Sequence, residues 1–329
     1  MNKINIGIIG LGNQGNLHLQ NCLRLKDVSL LGVADTSKHS LKQAAAKGVK
    51  NVYSNYEDLL KDDKINAVIV SLPNFLHREC ATKAAEAGKD ILMEKPLAGN
   101  VNDGEQILTS VRKNGVKFMV GYSMRFDPVL RGLREEIIEG IYGEVQVAEA
   151  TNVSNGPFTP RGDHYGPTPV PDWWFDKSRV GGGALMDLGV HLIDLFTWYF
   201  GEVDSVSSYL GYKFNMELED LALCIIRFKN GPLAVVNAGW FSKEATASIS
   251  INGTSNNFAR IISPRSRKSL IWSDLKKKLG LNARSSSLEE LKYFIDTIKK
   301  GENPSPSGEE GLIGLQTVAM AYKNSYQIK

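Results

Sequence analysis

At 329 residues the chain is long enough for about two domains with separate cores, and 42% hydrophobic with 23% charged residues is the balance of an ordinary soluble globular protein. Its 39 basic and 36 acidic side chains are spread along the whole length for a net charge of +3, so there is no basic stripe to meet a phosphate backbone, and nucleic acid is excluded as a partner. Cys22, Cys80 and Cys224 are far apart and outside any paired metal or redox spacing, which fits buried free thiols; with no leader before the first strand and no apolar run of spanning length, a cytoplasmic protein without a membrane partner is expected.

Ile4 to Ile9 is a nearly continuous apolar run, the pattern of a parallel strand covered on both faces. It ends in Gly10-Leu11-Gly12-Asn13-Gln14-Gly15, where the first glycine permits the turn, the second lets backbone approach a pyrophosphate, and the third lets a helix pack on the strand. A helix to Leu25 and a strand from Val28 to Ala34 follow, and then Asp35, placed to accept hydrogen bonds from an adenosine ribose. That acid favours NAD, while Lys38 keeps NADP compatible with the pattern. The alternation continues with helix 37–47, a strand near Val52, helix 56–61, strand 67–72, helix 75–87, strand 90–93, helix 102–114 and strand 116–121. Repeated strand-helix units of this length predict a doubly wound parallel sheet, whose ligands lie beyond the carboxyl ends of the strands. Gly10, Asp35, Pro73, Glu94-Lys95-Pro96 and Tyr122 are thereby brought to one edge. Pro96 biases Lys95 towards an extended backbone, and its ammonium can hydrogen-bond a substrate hydroxyl.

After Arg125 to Pro128, a mixed-charge helix from Val129 to Glu139 precedes strands at 144–151, 203–213, 221–228, 233–240 and 245–251, with Asn230-Gly231 as a hairpin turn. Successive strands without intervening helices predict a mainly antiparallel sheet; Trp240, Phe241 and Tyr209 fit either its core or a subunit interface on its other face. Between Asn155 and Val180 lies a proline-rich stretch with Arg161, His164, Trp173, Trp174 and Arg179, read as a substrate rim with Arg161 and Trp174 as contacts. From Gly181 to Phe200 three glycines open a helix with Leu185, Leu188, Leu192 and Leu195 on one stripe and Asp187, His191 and Asp194 on another, so this helix is expected to line a cleft. An imidazole oriented by a carboxylate is a proton acceptor near neutral pH. His191 and Asp194 resemble metal-ligand spacing only superficially, and no metal is expected. Basic runs occupy 260–268 and 276–278, Ser287 and Glu290 form a capping box for an amphipathic helix, and a last helix spans about Glu309 to Tyr326.

The chain resembles the Gfo/Idh/MocA family of oxidoreductases. The resemblance is carried by Gly10 to Gly15 with His18, Asp35, Pro73-Asn74 with His77, Met93-Glu94-Lys95-Pro96-Leu97, Gly121 to Pro128, and Gly181 to Asp194, of which Glu-Lys-Pro and Asp187-Leu188-Gly189-Val190-His191 are the most specific. It implies a Rossmann domain, taken as 1–122, and a C-terminal α+β domain with an open, mainly antiparallel sheet, taken as 123–329. It further implies Lys95, Asp187 and His191 as the catalytic set. NAD, or NADP, would contact Gly10, Gly12, Asn13, Gln14, Gly15, Asp35, Ser71, Leu72, Pro73, Asn74, His77, Glu94 and Lys95. The substrate would meet Lys95, Arg125, Arg161, Trp174, Asp187 and His191.

The expected reaction is oxidation of a secondary alcohol on a sugar, inositol-like polyol or sugar derivative, with Lys95 and His191 converging on one hydroxyl and either of them able to be the formal base. A nucleotide-sugar 3-dehydrogenase, an NAD-assisted glycosidase and a non-catalytic NAD-binding sensor are the competing readings. A homodimer or homotetramer through the C-terminal sheet is expected, as in relatives.

Overall fold

A computed structural model describes residues 3–157, 170–214, 216–229, 231–242, 244–264 and 285–328. It divides into two compact units, Met1–Phe126 with Ser285–Leu312, and Asp127–Arg284 with Ile313–Lys329.

The first unit is built on six parallel strands, β1 (Ile4–Ile9), β2 (Val28–Ala34), β3 (Asn51–Tyr53), β4 (Ala67–Val70), β5 (Asp90–Glu94) and β6 (Phe118–Gly121), in the order β3-β2-β1-β4-β5-β6. All four residues of β4 are buried, which is why its sequence is an unbroken apolar run rather than an alternating one. Helices α1 (Asn13–Arg24), α2 (Lys38–Ala46), α3 (Tyr56–Leu60), α4 (His77–Glu86) and α5 (Val101–Asn114) cross between the strands. Ser37, Asn55 and Asn100 cap α2, α3 and α5 with side-chain oxygens, and Gly115 closes α5 in the left-handed conformation. The strand order reverses between β1 and β4, which opens a crevice at their carboxyl ends.

The division at 122 and 123 expected from the sequence differs from the units observed. Helix Ser286–Lys300 places Leu291, Phe294 and Ile295 in one core with Ile6, Leu19, Val33 and Phe126, so its apolar stripe completes the first unit. Its expected capping box is absent: Ser285 is the N-cap, Ser287 Oγ accepts from Asn21 Nδ2 at 3.2 Å, and Glu290 is buried. Tertiary packing has claimed both side chains.

The second unit carries α6 (Pro128–Ile138), α7 (Val190–Phe200) and seven strands: β7 (Val145–Val153), β8 (Val203–Gly211), β9 (Leu221–Phe228), β10 (Leu233–Gly239), β11 (Thr246–Gly253), β12 (Asn257–Pro264) and β13 (Ser325–Ile328). With Ser286–Lys300 as α8, the helix α9 (Gly308–Lys323) begins in the first unit and ends in the second. The sheet order is β12-β11-β7-β10-β9-β8-β13. It is mixed: β7 runs parallel to β10 and β13 parallel to β8, and the other neighbouring pairs are antiparallel. Two of these strands were not expected. β12 covers the start of the first basic run, and the final helix stops at Lys323, so Ser325 to Ile328 form an edge strand.

Along β9 the burial alternates: Ala222, Cys224, Ile226 and Phe228 are inside, whereas Leu223 and Ile225 are on the exposed face. The segment Lys177–Phe200 is apolar and long enough to cross a membrane by composition alone, but 72% of its most apolar 18-residue window is buried in the protein, so it reads as a core segment. All three cysteines are buried free thiols, and burial pushes each up to about 12.

Candidate active-site residues

In the first unit the glycine turn does what its spacing demands. A Cβ on Gly10, whose φ is +89°, would lie 2.5 Å from the Ser71 carbonyl oxygen, and a Cβ on Gly15 only 1.9 Å from that of Gly10. The loop and α1 therefore sit against β4 as only glycine allows. Gly12 is different. Nothing lies within 4 Å of its would-be Cβ, and it caps α1 without a side chain, leaving Gly12, Asn13 and Gln14 exposed at the positive end of a 12-residue helix that has no acidic residue in its first turn. An open backbone cradle at a helix N-terminus fits a pyrophosphate.

Asp35 ends the next strand. Its Oδ2 accepts from Leu11 N at 2.6 Å and its Oδ1 from Ser37 N at 2.7 Å, so the acid holds the glycine loop to the start of α2. The remaining half of the edge comes from the ends of β4, β5 and β6. Ser71, Leu72, Pro73 and Asn74 are half-buried there, as are Glu94 and Lys95, while Tyr122 is buried. Glu94 Oε1 meets Nε2 of buried His18 at 2.8 Å, tying the end of β5 to the second turn of α1 beside Lys95.

Two of the expected contacts, His77 and Arg125, also hold the scaffold together. His77 is buried, with Nε2 2.9 Å from the Leu72 carbonyl and Nδ1 3.0 Å from that of Pro96. It staples together the chain segments after β4 and β5. Burial holds its imidazole below the usual range, although these carbonyls pull the other way. Arg125 is only 3% exposed, pairs with Glu310, and lies 3.4 Å from Ser305 Oγ. These contacts anchor the start of α9 in the first unit. Burial pushes the Glu310 carboxyl up, but the guanidinium and its other hydrogen bonds hold it below the ordinary carboxylate range.

In the second unit, Asp187 sits in a widened turn, Leu185–Gly189, whose hydrogen bonds run to the fifth residue, and His191 follows in the first turn of α7. Such widened turns are frequent at functional sites. Asp187 and His191 are half-buried, whereas Asp194 is closed in, so the polar stripe narrows to the first two members. Trp240 Nε1 donates to Asp187 Oδ2 at 3.2 Å. Half-buried Trp174 packs against Trp240 with ring centroids 6.3 Å apart and against Trp173 at 5.8 Å, an aromatic row that ends on the Asp187 carboxylate. Arg161 and His164, the turn residue Asn230, and the basic residues after 264 lie outside the described residues. No group of three or more His, Cys, Asp or Glu suited to a metal occurs among the described residues.

Trp240 was missed as the partner of Asp187, and so was buried Glu219, whose carboxylate accepts from Gly183 N and Leu185 N at the helix start. The three glycines were the available signal that something packs closely on the helix start, but spacing alone does not say which residue does so.

The family described as an oxidoreductase family with an NAD-binding Rossmann fold, Gfo/Idh/MocA, matches residues 4–122, and its C-terminal domain matches 130–259. A myo-inositol 2-dehydrogenase of Thermotoga maritima is 29% identical over 98% of this chain and 96% of its own length. A crystal structure of a probable dehydrogenase from Thermotoga maritima superposes with a TM-score of 0.83 at 26% identity, covering 98% of this chain and 97% of that one. A scyllo-inositol dehydrogenase from Lactobacillus casei, crystallised with NAD(H) and scyllo-inositol, shares the fold with a TM-score of 0.81 at 20% identity, over 98% of this chain and 97% of its own.

Proposed function

The chain belongs to the Gfo/Idh/MocA oxidoreductases, NAD-binding enzymes of the inositol and sugar dehydrogenase kind, and from that premise we propose that it oxidises a secondary alcohol of a sugar, an inositol-like polyol or a sugar derivative, with NAD preferred over NADP. The single observation that carries the reading is the Asp187 and His191 pair, half-exposed on an otherwise buried apolar helix, with the carboxylate held by Trp240.

Nicotinamide, when bound, supplies the hydride acceptor. The proposed roles of the chain's own residues follow from their chemistry. His191 takes the hydroxyl proton on a ring nitrogen, Asp187 orients that ring and stabilises its cation, and Lys95 Nζ donates to the same oxygen as negative charge grows on it. Backbone N–H groups from Gly12 to Gly15 would hold the pyrophosphate, and the Asp35 carboxylate would accept from the ribose hydroxyls. Support for NAD comes from Asp35, whose charge repels a 2′-phosphate. The open face of the second unit's sheet supports the further proposal of a homo-oligomer.

Screening sugars, inositols and nucleotide sugars for NADH formation tests the reaction class. With an active substrate, His191→Ala is expected to lower kcat by about 10²-fold to 10⁴-fold, the range of a general base, while NADH still binds. Lys95→Ala should cost on the order of 10²-fold. Turnover that survives both changes would refute the assignment.

A further inference from the structure

The start of the Asp187 helix is held by a residue the reaction does not use. Glu219 stands just before β9, is 1% exposed, and turns its carboxylate into the backbone of the glycine run. Both of its oxygens accept from Gly183 N at 3.0 Å, Oε1 also accepts from Leu185 N at 3.0 Å, and the Tyr322 hydroxyl donates to Oε1 at 2.8 Å. Its own carbonyl accepts from Ala184 N at 2.9 Å. Three consecutive N–H groups leading into the widened turn thus end on one residue, at a helix start that has no side-chain cap of its own.

The glycines make this approach feasible. A Cβ on Gly182 would fall 1.9 Å from the Tyr322 hydroxyl, and one on Gly183 would fall 2.1 Å from the Glu219 carbonyl oxygen. The run is therefore shaped to receive Glu219 and Tyr322, and the Asp187 N–H in turn donates to the Gly183 carbonyl at 3.0 Å. From Glu219 the path is continuous through Gly183 to Asp187, and one turn further to His191. Burial pushes the Glu219 carboxyl up, against the pull of its hydrogen bonds. The titratable neighbours that face it are Tyr322 from α9, itself raised by burial and by Glu219, Cys224 from β9, and Tyr212.

We propose that Glu219, with Tyr322, is a positioning residue for the catalytic pair: by gathering the N–H groups of 183–185 it sets the placement of the widened turn, and hence the orientation of Asp187 and His191. The proposal rests on the dehydrogenase reading only for what that orientation is used for. A misplacement of about 1 Å at a reacting group is enough to cost on the order of 10²-fold in rate.

The test is selective ¹³Cε1 labelling of histidine, which gives five signals from the five histidines, with His191→Ala assigning one of them. Glu219→Gln keeps the volume but swaps one acceptor oxygen for a donor amide, and Tyr322→Phe removes one donor while keeping the ring. Both variants are expected to move the His191 signal and shift its titration midpoint by about half a pH unit or more, with the His39 signal unchanged. Kinetically, Glu219→Gln should lower kcat at least about tenfold with NADH affinity retained. If Glu219→Gln fails to fold, Tyr322→Phe carries the same readout. A lower melting temperature with a His191 signal and titration that coincide with the wild type would overturn the proposal, leaving Glu219 a purely structural acid. The histidine signal is read in the cofactor-free protein without turnover, so failure of the dehydrogenase reading would appear only in the substrate screen.

Discussion

Asp35 and His77 stand at one edge of the first sheet, and each holds neighbouring backbone in place. Asp35 already accepts two backbone N–H groups, so Asp35→Ala should weaken NADH binding by more than the loss of a ribose contact, because it also frees the glycine loop proposed to hold the pyrophosphate. We expect at least a tenfold rise in the NADH Kd, about 1.4 kcal/mol, measured by quenching of tryptophan fluorescence, with no matching gain in NADPH affinity unless a basic residue is added. His77 gives a prediction of a different kind. Its folded imidazole is held below the usual value, so the unfolded chain, with an ordinary imidazole near about 6.5, takes up a proton that the folded protein refuses. The stability this difference leaves intact above that pH drains away as the pH falls towards the folded value. The melting temperature should therefore decline between about pH 7 and pH 5.5, and His77→Gln should flatten that slope even if it lowers the melting temperature throughout. An unchanged slope in the variant would show that another group dominates the window.

At the level of elements, what could be read from the chain was whatever local chemistry dictates. The alternation of apolar runs with amphipathic segments located all six strands of the first sheet, most directly where a strand such as β4 is buried on both faces and has no freedom to be anything but apolar; β3, exposed at Asn51 and Val52, was placed by the alternation alone. The glycine spacing at 10–15 was legible for the same reason: a Cβ at Gly10 or Gly15 meets backbone, which cannot yield. What escaped was decided by partners distant in sequence. β13 was read as the end of a helix because Ser325 to Ile328 becomes a strand only by pairing with β8. α8 joins the first core because Leu291 and Phe294 meet Ile6 and Leu19, contacts with no local signature. Of the candidate site, Asp187 and His191 were visible as a polar interruption in an apolar helix, whereas Trp240 and Glu219 reach that helix from the sheet. The assignment of α8 has a direct consequence. Phe294→Ala should destabilise the first unit by about 3–5 kcal/mol, seen as a shift in its denaturant midpoint, with NADH binding lost in the same transition. Gly183→Ala should do the corresponding damage in the second unit, since its methyl group would meet the Glu219 backbone at 2.1 Å.

For the whole molecule, the second unit's sheet poses the largest question of burial. α7 covers one face, where Ala222, Cys224, Ile226, Ala234 and Val236 are buried. On the other face several of the side chains alternating with these are apolar as well, beside Ser207, Arg227 and Asn237: Leu223 and Ile225 of β9, Leu233 of β10, Tyr209 of β8, and Tyr326 of β13, which stacks on Tyr209 with ring centroids 5.4 Å apart. They are neighbours in register, with Tyr209 opposite both Leu223 and Tyr326, so they form a contiguous patch rather than scattered exposed residues. Strands with one solvated face normally turn polar side chains outward, and this face departs from that rule at Leu223, Ile225 and Tyr209. A second copy of the same face satisfies it, because a two-fold axis sets each patch against its identical counterpart. The wild-type protein is therefore expected to run at a multiple of the single-chain mass in light scattering, and Ile225→Glu with Leu223→Lys to shift it towards the single-chain mass. Both side chains point away from the core, so circular dichroism and NADH binding should be retained. A double variant that keeps the wild-type mass would move the interface off this face, and a wild-type protein that is monomeric at assay concentrations would leave the patch without the partner proposed for it.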